Sequence, residues 1–310
     1  AVLSMVLSNA TAGTENTLGI RANGSSLSRY VTLHEAEGGG QTNARMFVQT
    51  DSNGIFEAYH SDISDADYFY YTGYWTNVAF TELWNTETAS GASSWVDQTL
   101  NAGASTVHQI IMANYEQDVA NTMGVRADGS ALTRSLLVHE PEAGGGNFLD
   151  FLVKADASSL IEVYTTDTTN AYFHDAGYFG TEMDFVEKWQ PITAAGSDWQ
   201  NYDLTAYLDV DGRVCDFLLA TNWETEILGL GVRDGDDTTT ERKLEEHEAE
   251  SAGAGGEYSG FSMSVKSNSS GVIKTYYMGV FGQADHNFFW LTGYFKPAAG
   301  GPQTYQLNCS

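Results

Sequence analysis

Leu18-Gly19-Ile20-Arg21-Ala22-Asn23-Gly24-Ser25 returns as Met123-Gly124-Val125-Arg126-Ala127-Asp128-Gly129-Ser130, and more loosely as Leu230-Gly231-Val232-Arg233-Asp234-Gly235-Asp236. The three arginines stand 105 and 107 residues apart. Self-similarity at a fixed period marks a repeat architecture. Two more markers keep the spacing. His34-Glu35-Ala36-Glu37, His139-Glu140-Pro141-Glu142 and His247-Glu248-Ala249-Glu250 each precede a glycine-rich turn, and Gly73-Tyr74-Trp75, Gly177-Tyr178-Phe179 and Gly293-Tyr294-Phe295 close the units. Three homologous domains are therefore expected, at residues 1–94, 95–198 and 199–310, each the size of an independent β-sandwich.

Inside a unit, short apolar or alternating runs such as Val107 to Met112, Thr122 to Arg126, Leu136 to Val138 and Tyr172 to Phe179 are separated by turn signals such as Asp128-Gly129 and Asn53-Gly54. With 32 Gly against 4 Pro, 42% hydrophobic residues and 13% aromatics, the chain is too apolar for disorder and reads as all-β. Two packed antiparallel sheets of jelly-roll type are predicted in each domain. Short Gly/Ser/Ala-rich connections such as Thr86 to Ser94 predict a rod or arc of domains.

A formal charge of −27 excludes nucleic acid and anionic membrane as electrostatic partners, because phosphate contacts need Lys and Arg, of which the chain has 14. No run of 18 apolar residues is present to span a membrane. The chain starts at Ala1 without an initiator Met, so either a leader is removed or the sequence is a piece of a longer one.

The opening strands are uneven. Unit two opens at Trp95 to Leu100 and unit three at Trp199 to Leu204, whereas unit one starts directly at its apolar strand Val2, Leu3, Met5, Leu7. The C-terminal segment Gln303 to Asn308 resembles the two openings. One strand is missing at the start and one is spare at the end. Two readings stay open. The spare strand completes domain one of a neighbouring copy, Tyr305 and Leu307 facing its core, so that copies polymerise head to tail. Alternatively it folds back on domain three, held by a Cys215–Cys309 disulfide.

The pattern Trp-x-x-x-Asp-Leu, then an apolar strand, then Gly-Val-Arg-x-x-Gly-Ser, then Gly-Tyr-Phe resembles tandem β-sandwich modules of tailed-phage virion and surface-fibre proteins. The resemblance implies a structural or adhesive role and transfers no catalytic residue. The third unit departs from it, with Asp236-Asp237 after the glycine and an acidic stretch from Thr238 to Glu250.

In the triplicated His-Glu-x-Glu, strand alternation puts the histidine and its neighbouring carboxylates on opposite faces, which argues against a metal site. Glu35, Glu140 and Glu248 are instead expected to pair with Arg21, Arg126 and Arg233, or with Arg29, Arg134 and Arg242, since arginine is scarce here. Asp62, Asp65 and Asp67 share a loop that offers oxygen ligands to calcium, although without EF-hand spacing. No nucleophile elbow, P-loop, HExxH or CxxC is present. The expectation is a non-enzymatic structural subunit of an extracellular or virion assembly, without a cofactor. The alternative is a glycan-binding adhesin stacking sugars on Trp75, Trp84, Trp189, Trp223 or Trp290, although most of these lie in or beside strands, where core packing is the commoner use.

Overall fold

The computed structural model describes residues 1–35, 41–62, 66–101, 103–116, 119–140, 145–193, 198–210, 212–222, 228–246, 258–278, 287–297 and 306–308. Every regular element among them is a strand, and no described helix is long and apolar enough to cross a membrane. Unit one holds β1 (Val2–Asn9), β2 (Thr14–Ala22), β3 (Tyr30–Glu35), β4 (Thr42–Gln49), β5 (Phe56–His60) and β6 (Asp67–Thr76). Next come β7 (Phe80–Glu87), β8 (Trp95–Thr99), β9 (Val107–Asn114), β10 (Val119–Ala127), β11 (Ser135–Glu140), β12 (Asn147–Lys154), β13 (Leu160–Thr165) and β14 (Ala171–Phe179). They are followed by β15 (Met183–Ile192), β16 (Gln200–Asp203), β17 (Val214–Thr221), β18 (Leu228–Asp234), β19 (Lys243–Glu246), β20 (Ser259–Lys266), β21 (Val272–Met278), β22 (Asn287–Pro297) and β23 (Gln306–Asn308).

The second unit shows the plan. Its sheets run β12-β9-β14-β7 and β11-β10-β13-β8. Counted from β7 as the first strand, the orders are 6-3-8-1 and 5-4-7-2, the interleaving of an eight-stranded jelly roll. Unit three repeats it as β20-β17-β22-β15 and β19-β18-β21-β16. In both, the first strand lies ahead of the boundary read from the sequence: β7 precedes residue 94 and β15 precedes residue 198.

Unit one is assembled differently. Its sheets are β4-β1-β6-β23 and β3-β2-β5. The first-strand position is filled by the C-terminal strand of the same chain, with Gln306 opposite Thr76, Leu307 opposite Trp75 and Asn308 opposite Tyr74. The spare strand thus completes domain one, with Leu307 against its core as the first reading has it, but it comes from the same chain; the second reading is corrected, since the strand does not fold back on domain three. The reason is the closed arrangement. Each unit hands its last segment to the next, and the third such step brings the chain back to unit one. The units therefore surround a common centre and form neither a rod nor an arc.

That centre is apolar. Val2, Val107 and Val214, which start equivalent strands, cluster there with Phe47, Leu152, Leu307 and the rings that end the three closing markers. Trp75, Phe179 and Phe295 meet edge to face, at centroid separations of 4.6 Å (Trp75–Phe295), 5.6 Å (Phe179–Phe295) and 6.0 Å (Trp75–Phe179). The marker glycines make this approach feasible. Gly177 has φ 137° beside a register shift in β14, and a Cβ there would meet the Thr81 carbonyl and the Phe80 ring.

Candidate functional site

Two series of arginines repeat with the units and do different work. Arg29, Arg134 and Arg242 are buried at the joints. Arg29 donates to the carbonyl of Ala176 in unit two and to that of Leu83 on β7, and pairs with Glu82 at 3.1 Å. Arg134 makes the equivalent step to Glu187 on β15 at 2.6 Å. Arg242 closes the cycle by donating to the carbonyl of Thr72 on β6. Burial lowers the Arg29 guanidinium to about 10 despite the nearby carboxylates of Glu82 and Asp175, and lowers that of Arg134 likewise.

Of the glycine-rich turns, the described Gly145 and Gly146 lie at the joint between units one and two. Gly146 N–H donates to the carbonyl of Thr32, and Leu33 forms a parallel bridge with Gly146, as Val138 does with Tyr258. A Cβ on Gly145 would collide with His34, so the turn needs glycine to approach β3.

Where the fourth residues of β4, β12 and β20 come together, the sequence breaks its own repeat: Arg45, Asp150 and Ser262 occupy equivalent positions. Arg45 donates from Nε and Nη2 to Asp150 Oδ2 at 2.9 and 2.6 Å, and from Nη1 and Nη2 to Asp216 at 2.5 and 3.2 Å. Gln109, Ser264 and Thr292 also donate to these carboxylates, and Ser262 donates to the Asp150 carbonyl. Burial opposes the charge on Arg45, but Asp150 and Asp216 outweigh it and hold the guanidinium above its ordinary value. Burial, with Asp216 alongside, raises the Asp150 carboxyl. Sequence reading missed this hub because it is asymmetric. Its signal was a charge inside an apolar run, Ala44-Arg45-Met46-Phe47 and Leu149-Asp150-Phe151-Leu152.

The other arginine series is local to each unit, and its carboxylate partners differ from those expected. Arg21 pairs with Glu57 at 2.6 Å and Arg126 with Glu162 at 2.8 Å, while each also donates to a loop carbonyl, of Leu27 and Leu132. Arg233 donates to the carbonyl of Thr240. The reason is register: Arg21 lies directly across from Glu57 on β5 and Arg126 across from Glu162 on β13, whereas Glu35 is at the far end of β3. Glu35 is buried and accepts from Thr42. The Glu140 side chain and Glu248 lie outside the described residues.

Arg126 and Arg233 are capped by indoles, Trp95 at 4.2 Å and Trp199 at 4.1 Å from guanidinium carbon to ring centroid. Arg21 has no such cap among the described residues. Over it lies an open groove of about 500 Å³ lined by Gly19, Arg21, Leu27, Arg29, Tyr30 and Tyr59.

Of the expected calcium ligands, Asp67 on β6 has its side chain covered, with its carboxylate 4.0 Å from His60 Nδ1, Asp62 is in the preceding loop, and Asp65 lies outside the described residues. The described residues contain no cluster of three metal-ligating side chains. Asp237 closes a turn: although partial burial opposes it, N–H donation from Thr240 and Thr239 lowers its carboxyl to about 2. Cys215 is a buried free thiol; Cys309 and Tyr305 lie outside the described residues. Leu307 is buried in the shared apolar centre. Trp75 and Trp290 are buried, while Trp84 and Trp189 are half-buried and pack on cores, Trp84 stacking on His174 and Trp189 on Trp290; Trp223 lies outside the described residues. Thr106, His108 and Asp175 form a hydroxyl–imidazole–carboxylate line at 3.2 and 3.0 Å, but all three are buried.

No family model matches the chain, and no curated protein matches it in sequence. Among solved structures, the N-terminal CBM22-1–CBM22-2 tandem domain of Paenibacillus barcinonensis Xyn10C is 12% identical at TM-score 0.19, covering 72% of this chain and 92% of that one. A structure of Sulfolobus Turreted Icosahedral Virus is 9% identical at TM-score 0.21, covering 96% and 80%. A structure describing the triple jelly roll fold and turret assembly in an archaeal virus is 8% identical at TM-score 0.20, covering 96% and 79%. None of these three is a tailed-phage protein. Such distant likenesses carry no functional argument, and the jelly-roll assignment of this chain rests on its own strand order.

Proposed function

We propose that the chain is a non-enzymatic structural subunit of an extracellular or virion assembly. One observation carries this reading: the strongest charged constellations, around Arg29, Arg45 and Arg134, are buried and serve to lock three jelly rolls into one block. Groups held this way fix geometry and are closed to substrate. The outside of the block carries the excess of carboxylates that keeps a concentrated assembly protein soluble. Native mass spectrometry and negative-stain microscopy over a concentration series test the reading. A defined oligomer or ordered particle is expected, with no turnover of ester, glycoside or peptide substrates. A persistent monomer that hydrolyses any of these overturns it.

A second reading, glycan binding, is favoured by one feature: Tyr30, Tyr59, Tyr68 and Tyr71 of unit one are exposed, and such rings stack on sugars. A glycan array probed with the whole chain and with Tyr59→Ala separates it from the first.

A further inference from the structure

Units two and three each place a strand beside the seventh strand of the jelly roll, where unit one has none among the described residues. In unit two, β8 pairs antiparallel with β13, setting Trp95 opposite Tyr164, Val96 opposite Val163 and Asp97 opposite Glu162. In unit three, β16 sets Gln200 opposite Thr275 and Asn201 opposite Lys274, which puts Trp199 next to Tyr276. The ring centroids of these Trp–Tyr pairs are 5.5 and 5.2 Å apart. Beneath Trp95 is Gly124, where a Cβ would come within 2.9 Å of the indole.

Unit one carries the matching receptor. Gly19 is opposite Tyr59 as Gly124 is opposite Tyr164 and Gly231 opposite Tyr276. Arg21 is held by Glu57 and the Leu27 carbonyl as Arg126 is by Glu162 and the Leu132 carbonyl. Only the cover differs. Tyr59 is 55% exposed, and the side chains of Arg21 and Arg126 are 38% and 14% exposed. An uncovered strand edge flanked by exposed tyrosines is a template for strand addition.

We propose that the outer edge of β5 binds an extended polypeptide segment from outside residues 1–310, antiparallel to β5, with an indole opposite Tyr59 and over Arg21. The backbone of β5 supplies the pairing, and the groove of about 500 Å³ supplies the side-chain specificity. A second copy of residues 1–310 is the poorer donor, because its Trp95 is already engaged within its own unit, and so is its Trp199. The inference rests on the internal repeat and is independent of the assembly reading.

The test is titration of the whole chain with the synthetic peptide Ser94 to Leu100 in about 0.15 M salt, which screens repulsion between two acidic partners beyond about 8 Å. Saturable one-to-one binding is expected, with hydrogen-exchange protection confined to β5 and the strands beside it. Replacing Trp95 by alanine in the peptide, or Tyr59→Asp in the chain, should weaken binding about tenfold, the loss of one aromatic and one cation–π contact. Arg21→Ala, checked for an unchanged melting temperature, gives a second variant with the same expected loss. Absent protection, or equal binding by the alanine peptide, overturns the proposal. So does protection of β5 by self-association without peptide, or by an oligosaccharide in its place.

Discussion

Unit two draws its eight strands from one continuous stretch, Phe80 to Phe179, whereas unit one takes its strands from both ends of the chain and has seven among the described residues. The two positions at which they differ are not equivalent. The first strand faces the shared centre: β23 brings Leu307 against Trp75, as β7 brings Phe80 against Phe47 and Phe179. The second strand lies outside, covering one arginine and one tyrosine. The outer position of unit one is uncovered among the described residues, whereas its inner position is filled from within the chain, because the shared core is unfilled without that strand.

The strongest way to break the distinction between units is to remove what joins them. Arg45→Met leaves Asp150 and Asp216 buried without their cation, and a loss of about 3–5 kcal/mol is expected from denaturant unfolding. Asp150→Asn should cost clearly less, because one guanidinium serves two carboxylates and the Asp150 carboxyl is already raised. A cost for Arg45→Met below that of Asp150→Asn would remove the hub from its place as the keystone.

Next comes the inner strand. Leu307→Ala should destabilise by about 2–4 kcal/mol, the range for a buried leucine whose site collapses only in part. Deleting the residues from Gln306 onward should also open the edge of β6 to pairing between copies, seen as concentration-dependent mass in ultracentrifugation. Melting curves unchanged by either alteration would mean that β23 is dispensable.

The jelly-roll class and the threefold repeat were legible because period-two patterning and turn residues are local signals, and Gly124-Val125-Arg126 repeats Gly19-Ile20-Arg21 almost residue for residue. The imbalance of end strands was legible too, but not its resolution. Whether Gln306 to Asn308 pairs with its own β6 or with a neighbour's depends on where unit three ends in space, which no local signal encodes. The ion pairs went astray for a related reason: Arg21 and Glu57 are neighbours only through strand register, which the proximity of the His-Glu motifs in sequence does not reveal. The hub was hardest, since a joint used once leaves no repeated motif.

Acid should separate unit two from its neighbours. His174 on β14 stacks on Trp84 of β7 at 4.9 Å, where unit three has Trp290 on Trp189 at 5.5 Å and unit one has Tyr70 at the corresponding place. Burial lowers the His174 imidazole to about 4 from its ordinary 6.5. Its folded value is depressed, so between these pH values the unfolded chain binds the extra proton. The stabilisation is present above about 6.5 and is lost as pH falls towards 4, on the order of 3 kcal/mol in all. His174→Phe should flatten the stability profile across that window, and an unchanged slope in the variant would assign it to other groups.

The smallest effect sharpens the contrast between the capped and the open second-strand positions. Arg126 is wedged between Glu162 and the Trp95 face, so Arg126→Met strands a half-buried carboxylate and removes a cation–π contact, for an expected cost of about 1–2 kcal/mol. Arg21 makes the same carboxylate pairing in the open, where solvent and salt take over most of the interaction, and Arg21→Met should leave the melting temperature of the isolated chain unchanged. In the presence of a bound Trp-bearing strand the two positions become alike, and Arg21→Met should then cost as much as Arg126→Met. Equal costs in the isolated chain would mean that the indole contributes nothing to holding the arginine, and the difference in cover between the units would then have no energetic consequence.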